Sequence, residues 1–225
     1  METVARPNFG ATRNDGDSPA LRTPPHNFEA EMALLGALLA NNKAYGLADV
    51  QPVATMIRNV LGSKESASHF RVATKALEFN MFAKSQNELD ERRRLLTQNA
   101  FKIIDVRLLD TAPKVVDKEA ALLEGVQLFN EERFWECHEA LEQAWHPSEG
   151  VERDAIQSII LTAAAFVHYQ KGEEETCLSI LRRARDKMAS VKNYEKIDFR
   201  LLRQNIDGVL DSGKIQLFKI RMSRT

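Results

Sequence analysis

Apolar side chains recur at helical spacing through residues 27–62. Asn27 can cap a helix, and the apolar residues that follow it lie three and four positions apart, on one face: Phe28, Met32, Leu35, Leu38 and Leu39. This pattern predicts a helix within residues 27–46. A second helix is predicted over residues 47–62, where Pro52 falls in the first turn and its missing N–H costs no hydrogen bond.

After residue 62, the spacing of the apolar residues changes from that of a helix to that of a strand. Alternating apolar and polar residues predict strands over 70–73 and 76–82, with a turn at Thr74–Lys75 between them. The next elements are a helix from the capping box Ser85-Gln86-Asn87-Glu88 to Gln98, and a strand over 101–109 whose inward side chains would be Ile104, Val106 and Leu108. Residues 47–112 therefore predict a small α+β segment, a partial ferredoxin-like unit.

Beyond Pro113 the pattern is helical. Glycine and proline separate five predicted helices: residues 116–131, 134–146, 151–171, 173–191 and 197–210. Aligning Cys137 with Cys177 also aligns Leu141 with Leu181 and Ala144 with Ala184, which predicts a repeated helical hairpin. The expected fold class is mainly α: a five-helix tetratricopeptide-like hairpin domain over residues 113–213, preceded by the small α+β segment. A tail over residues 214–225 follows, and residues 214–220 of this tail are a weak strand candidate.

Composition and charge narrow the class of protein. The chain is 44% hydrophobic and 28% charged with a formal net charge of −1, so we expect a soluble protein without a general attraction for nucleic acid or for a membrane. Proline and glycine are frequent in residues 1–26, which predicts a disordered leader. Two cysteines and no export signal indicate a reducing compartment, and we expect the protein to be cytoplasmic.

The stretch Phe129 to Trp145 carries the candidate chemistry. Four of its side chains share one face of the predicted helix: Phe134, His138, Glu142 and Trp145. Glu142 lies one turn beyond His138 and can fix the tautomer of its ring. His168, on the next helix, would approach His138 if the hairpins pack face to face, whereas Glu136 and Glu139 are expected to point into solvent. These five residues (Phe134, His138, Glu142, Trp145 and His168) form a candidate groove.

The spacing does not complete either common metal template. A zincin motif needs a second histidine where Glu142 stands, and a di-iron bundle needs Glu-x-x-His on two helices. No cofactor is implied. Three interpretations stay open: a non-enzymatic binding or scaffold protein that uses the groove, a metal-dependent hydrolase that uses His138, Glu142 and His168, and a His138–Glu142 pair that only sets helix packing.

Two resemblances add to this interpretation. The run LFNEERFWECHEALEQAW and the residues after it, about Glu119 to Met188, resemble domain-of-unknown-function family 309 (DUF309), and Ser158 departs from the glycine that the family often has there. The resemblance implies a small all-α domain whose biochemical role is not established. Archaeal-type members also place an α+β segment before it.

The second resemblance concerns residues 24–45, which are similar to the start of the N-terminal domain of DnaB-type replicative helicases. The chain lacks the phosphate-binding loop of such a motor. A replication accessory that presents this helix to another protein is therefore a further hypothesis. The partner, protein or small molecule, is left open, and a homodimer is possible.

Overall fold

A computed structural model describes residues 33–108, 117–192 and 194–222. The predicted leader, residues 1–26, lies outside them. The first described range, here the sheet unit, contains β1 (Ala33–Ala40), α1 (Val50–Leu61), β2 (Ala67–Val72), β3 (Ala76–Ala83), α2 (Gln86–Gln98) and β4 (Ile103–Leu108). The remainder, here the helical unit, contains α3 (Lys118–Asn130), α4 (Phe134–Trp145), α5 (Gly150–Gln170), α6 (Glu174–Lys187) and α7 (Phe199–Ser212).

The first strand, β1, corrects the prediction of a helix over residues 27–46. Residues 33–40 form a central strand that pairs antiparallel with β3 on one side and β4 on the other, and residues 27–32 lie outside the described part. The run ALLGALLA is apolar throughout, and periodicity alone cannot distinguish a buried central strand from a buried helix in such a run. The predicted helix is therefore wrong over 33–40.

With β1 in place, the sheet is complete rather than partial. The strands lie in the order β2-β3-β1-β4, all antiparallel, and the chain order β-α-β-β-α-β is that of a ferredoxin-like unit. Leu77, Phe79 and Met81 share one face, as predicted, and pack in a cluster with residues of α1 and α2. Glu78 and Asn80 alternate with them and are also buried, on the opposite face of the sheet.

A bulge in β4 overturns one detail of the predicted register. Leu38 pairs with Asp105 but Leu39 pairs with Ile103, so the residue between them has no opposite partner. As a result Ile103 and Val106 pack against the sheet-unit core while Ile104 is 53% exposed. The expectation that Ile104 points inward with Val106 is wrong because strict alternation fails across a bulge.

The helices of the helical unit lie close to their predicted positions. Helices α3 and α4 form one hairpin and α5 and α6 a second, and the turns of the two hairpins (residues 130–133 and 170–173) have the same hydrogen bonds. Glu132 N–H donates to the Phe129 carbonyl and Arg133 N–H to that of Leu128; in the second hairpin, Gly172 and Glu173 make the same bonds to Tyr169 and His168. The third turn residue is left-handed in both, at φ 62° for Glu132 and 80° for Gly172. Cys137 and Cys177 are both fully buried, and burial raises the pKa of each thiol.

The predicted strand at 214–220 is wrong. These residues form no strand and instead return across the helical unit, where the Asn130 side-chain amide bonds both the N–H and the carbonyl of Ile220 at 2.8 and 3.0 Å. Phe218 packs against Phe129 and Phe166, with ring centroids 6.0 and 5.1 Å apart. No helix of the described residues is long and apolar enough to cross a membrane.

Candidate binding site on helix α4

Helix α4 divides into a core face and a polar flank. Cys137, Leu141 and Ala144 are fully buried among α3, α5 and α6. The approach of α3 is close because Gly125 lies against Leu141, where a β-carbon would come within 2.5 Å of the leucine side chain. The core face therefore fixes the rotation of α4 about its axis, and this rotation decides where the polar residues point.

Phe134 and Trp145, the aromatic ends of the predicted groove, belong to the core. Phe134 packs on Phe129 and Phe166 with both ring centroids 5.1 Å away. Trp145 is almost fully buried, and the Arg153 guanidinium lies 3.8 Å from its ring centroid. These two aromatic residues do not form the walls of an open groove, because the chain's own side chains cover them.

His138 and Glu142 do lie on the polar flank, one turn apart. The His138 ring is 3% exposed, and neither of its nitrogens has a hydrogen-bond partner among the described residues. Two carboxylates lie just beyond hydrogen-bonding distance: Glu139 Oε1 is 3.5 Å from Nδ1 and Glu142 Oε1 is 3.7 Å from Nε2. A buried polar group of this kind is rare in native structures and requires an explanation.

Trp135 is the residue of this flank that the sequence analysis missed. Its ring stacks on the His138 ring, with centroids 6.1 Å apart and planes 13° apart. The Arg71 guanidinium, from β2, lies 5.4 Å from the Trp135 ring centroid, so the sheet unit packs against this flank. Helical spacing could have placed Trp135 beside His138, three residues away, but the sequence carries no signal for the contact with Arg71.

The two glutamates expected in solvent behave differently. Glu136 is buried and forms an ion pair with Arg133 one turn earlier. Glu139 has an exposed side chain, yet its carboxylate is the one nearest His138 Nδ1. We call Trp135, His138, Glu139 and Glu142 the α4 flank; it presents two carboxylates above a buried imidazole.

His168 does not join the α4 flank. Its Nδ1 pairs with Glu173 in the turn after α5. Helices α4 and α5 run antiparallel, since Phe134 contacts Phe166 at one end and Trp145 contacts Arg153 at the other. His138 and His168 are thus displaced by about seven residues, or ~10 Å, along the helix axes. Throughout the described residues, no group of three or more His, Cys, Asp or Glu side chains is arranged to hold a metal ion.

Two positively charged residues, Arg71 of β2 and Lys171 at the end of α5, lie near His69. His69 follows Ser68 in the bulge of β2 and has a left-handed φ of 53°. Burial, with added repulsion from Lys171 and Arg71, lowers its pKa from 6.5 to about 4. Burial also lowers the pKa of Lys171, with a further contribution from Arg71. Arg71 also forms an ion pair with Glu78, whose Oε2 accepts a hydrogen bond from Arg71 Nε at 2.8 Å.

Comparison with known proteins identifies a family that matches part of the chain. The family model "Domain of unknown function (DUF309)" matches residues 122–180, from α3 into α6. The resemblance to this family inferred from the F-W-E-x-H-E run is confirmed for that part of the chain. No curated protein and no solved structure matches the chain, and the resemblance of residues 24–45 to the helicase domain stays a prediction.

Proposed function

Starting from a helical unit whose residues 122–180 match the DUF309 family model, we propose that the protein is a non-enzymatic binding protein whose α4 flank recognises a basic group of a partner. The observation that carries the proposal is His138: a buried imidazole without a hydrogen-bond partner in the described residues, held beneath two carboxylates. A stability role alone would favour an apolar residue at this buried position, since an unsatisfied polar group is destabilising there.

The charge on the flank indicates the chemistry of the partner. Glu139 and Glu142 stand on the outer side of His138, and His146 Nε2 approaches the second oxygen of Glu142 at 3.5 Å. Two carboxylates on one side of a helix offer acceptors to an arginine or lysine side chain. A neutral imidazole carries one N–H, so on binding it would donate to one carboxylate while the partner's basic group binds the other.

A scaffold of stacked hairpins would support this role. The recurrence of the same turn bonds in both hairpins, and of a buried cysteine at the same place in each, favours the tetratricopeptide-like arrangement predicted from sequence. The α4 flank then belongs to one hairpin only, because Leu178 and Arg182 occupy the positions of the second hairpin that correspond to His138 and Glu142. This asymmetry supports a role in binding rather than a requirement of the repeat.

The test is affinity capture with charge-matched variants. Glu139→Gln with Glu142→Gln removes the two carboxylates of the α4 flank, and Glu119→Gln with Glu124→Gln removes two exposed carboxylates of α3 as the control. We expect partners captured by the wild-type chain and by the α3 control to be lost from the α4 variant, with all melting temperatures within a few degrees. Equal recovery by all three proteins would contradict the proposal.

A further inference from the structure

A cleft lies where the two units meet, away from the α4 flank. Its volume is about 610 Å³, within the ~300–1,000 Å³ range of small-molecule sites. Tyr45, Leu47 and Val72 line it from the sheet unit, and Tyr169, Gln170 and Leu217 line it from the helical unit. Residues from both units and from the returning C-terminal segment therefore contribute to one concave site.

Gln170 gives this cleft an unsatisfied acceptor. The residue is 1% exposed, and its side-chain N–H₂ donates to the Glu132 carbonyl at 2.8 Å. Its Oε1 has no hydrogen-bond partner among the described residues. The bond to Glu132 fixes the orientation of the amide, so the buried oxygen is the atom left without a partner. A ligand that satisfies it must supply an N–H or O–H donor.

The charge of the lining indicates which donor fits. Among the described residues that line the cleft, Glu132 is the one charged residue and none is a lysine or an arginine. Its Oε2 accepts from the Thr74 N–H at 2.7 Å, which holds the carboxylate across the junction between the units. Tyr45 and Tyr169 also line the cleft, and an aromatic ring attracts a cation that lies over its face. The carboxylate of Glu132 is therefore the charge that the described lining offers a ligand, and it favours a positively charged donor.

The backbone conformation of Glu132 bears on the choice of a test variant. Its φ of 62° is left-handed, and the equivalent turn position of the second hairpin is Gly172. Glycine adopts this conformation freely, whereas a residue with a β-carbon is strained there. The glutamate side chain makes a contact that glycine could not, because its carboxylate accepts the hydrogen bond from the Thr74 N–H.

We propose that the junction cleft binds a small organic amine in its protonated form. The ammonium group donates hydrogen bonds to Gln170 Oε1 and to the carboxylate of Glu132. Its apolar part packs against Leu47, Val72 and Leu217. This site shares no residue with the α4 flank, so the two proposals succeed or fail separately.

The experiment compares three probes of similar size against the full chain by isothermal titration calorimetry: phenethylammonium, 2-phenylethanol and 3-phenylpropionate. We expect saturable one-to-one binding of the amine only. Glu132→Gln should weaken it at least tenfold, because a charge-assisted hydrogen bond is lost. Glu131→Gln, one residue earlier with an exposed carboxylate, is the matched control and should leave the affinity unchanged. Nα-acetyllysine amide distinguishes a free amine from a lysine side chain as the natural source.

Glu132→Gly separates binding from folding. It removes the carboxylate, together with its bond to the Thr74 N–H, and relieves the left-handed strain. These two effects on stability oppose one another, so we expect the melting temperature to stay within a few degrees of the wild-type value while amine binding is lost. The proposal is overturned if phenethylammonium shows no binding at about 1 mM, if the alcohol or the carboxylate binds as well as the amine, or if Glu132→Gln binds like the wild-type chain.

Discussion

At the scale of single residues, the spacing of α4 predicts which side chains are neighbours but not how the helix is rotated. His138 and Glu142 lie close together, as the interval of four residues indicates, at 3.7 Å. The same spacing groups Phe134 and Trp145 with them, and the structure places both in the core. The rotation depends on the contact between Gly125 and Leu141, which the periodicity of α4 does not contain.

Gly125→Ala tests this contact. The added β-carbon would meet Leu141 Cγ and Cδ2 at 2.5 Å, so α3 and α4 must separate. We expect the free energy of unfolding to fall by about 1–3 kcal/mol. Gly208→Ala on α7, where nothing lies within 4 Å of the new β-carbon, should raise it by about 0.5–1 kcal/mol. Urea unfolding of both variants gives the comparison, and a stabilised Gly125→Ala would contradict the packing described.

His69 provides a pH test. Because its folded pKa is about 4, the unfolded chain takes up a proton as the pH falls below about 6.5, before the folded protein does. The free energy of unfolding should therefore decrease between pH 6.5 and 4. His69→Asn does not titrate and tolerates a left-handed backbone, so its decrease should be smaller. Urea titrations at several pH values give both curves; parallel curves would exclude a half-buried, neutral His69.

At the scale of elements, sequence predicts the helices best and the first strand worst. The helices of the helical unit have strong apolar periods punctuated by glycine or proline, and their observed positions agree closely with the predicted ones. The segment of β1, by contrast, is rich in alanine and leucine, which favour helix locally. The strand forms because β1 pairs with β3 and with β4, two strands that lie much later in the sequence, and this pairing outweighs the local preference for helix. Long-range pairing of this kind leaves no local signature.

Nuclear magnetic resonance tests the strand directly. We expect negative Cα secondary shifts across residues 36–40, and slow amide exchange at those positions of β1 whose N–H groups pair with β3 or β4. Residues 150–170 of α5 provide the internal reference, with positive Cα shifts. Positive shifts across 36–40 would restore the helical prediction and leave the sheet without its central strand.

At the scale of the whole molecule, the candidate sites depend on contacts between the two units. Arg71 from the sheet unit covers Trp135 on the α4 flank, and Thr74 N–H binds Glu132 at the cleft. Each contact joins residues that lie far apart in the sequence. The motif around His138 could be recognised from sequence, whereas its neighbours across the junction could not, because no periodicity links the two units.

The central claim is that His138 is kept for binding and not for stability, and the free energy of unfolding of His138→Met tests it most directly. Methionine fills a similar volume, packs against Trp135 and leaves no buried polar atom unsatisfied. The account predicts that the variant is as stable as the wild-type chain or more stable, by about 1 kcal/mol. A loss of about 2 kcal/mol or more would show that the imidazole holds the fold together and would contradict the proposed function.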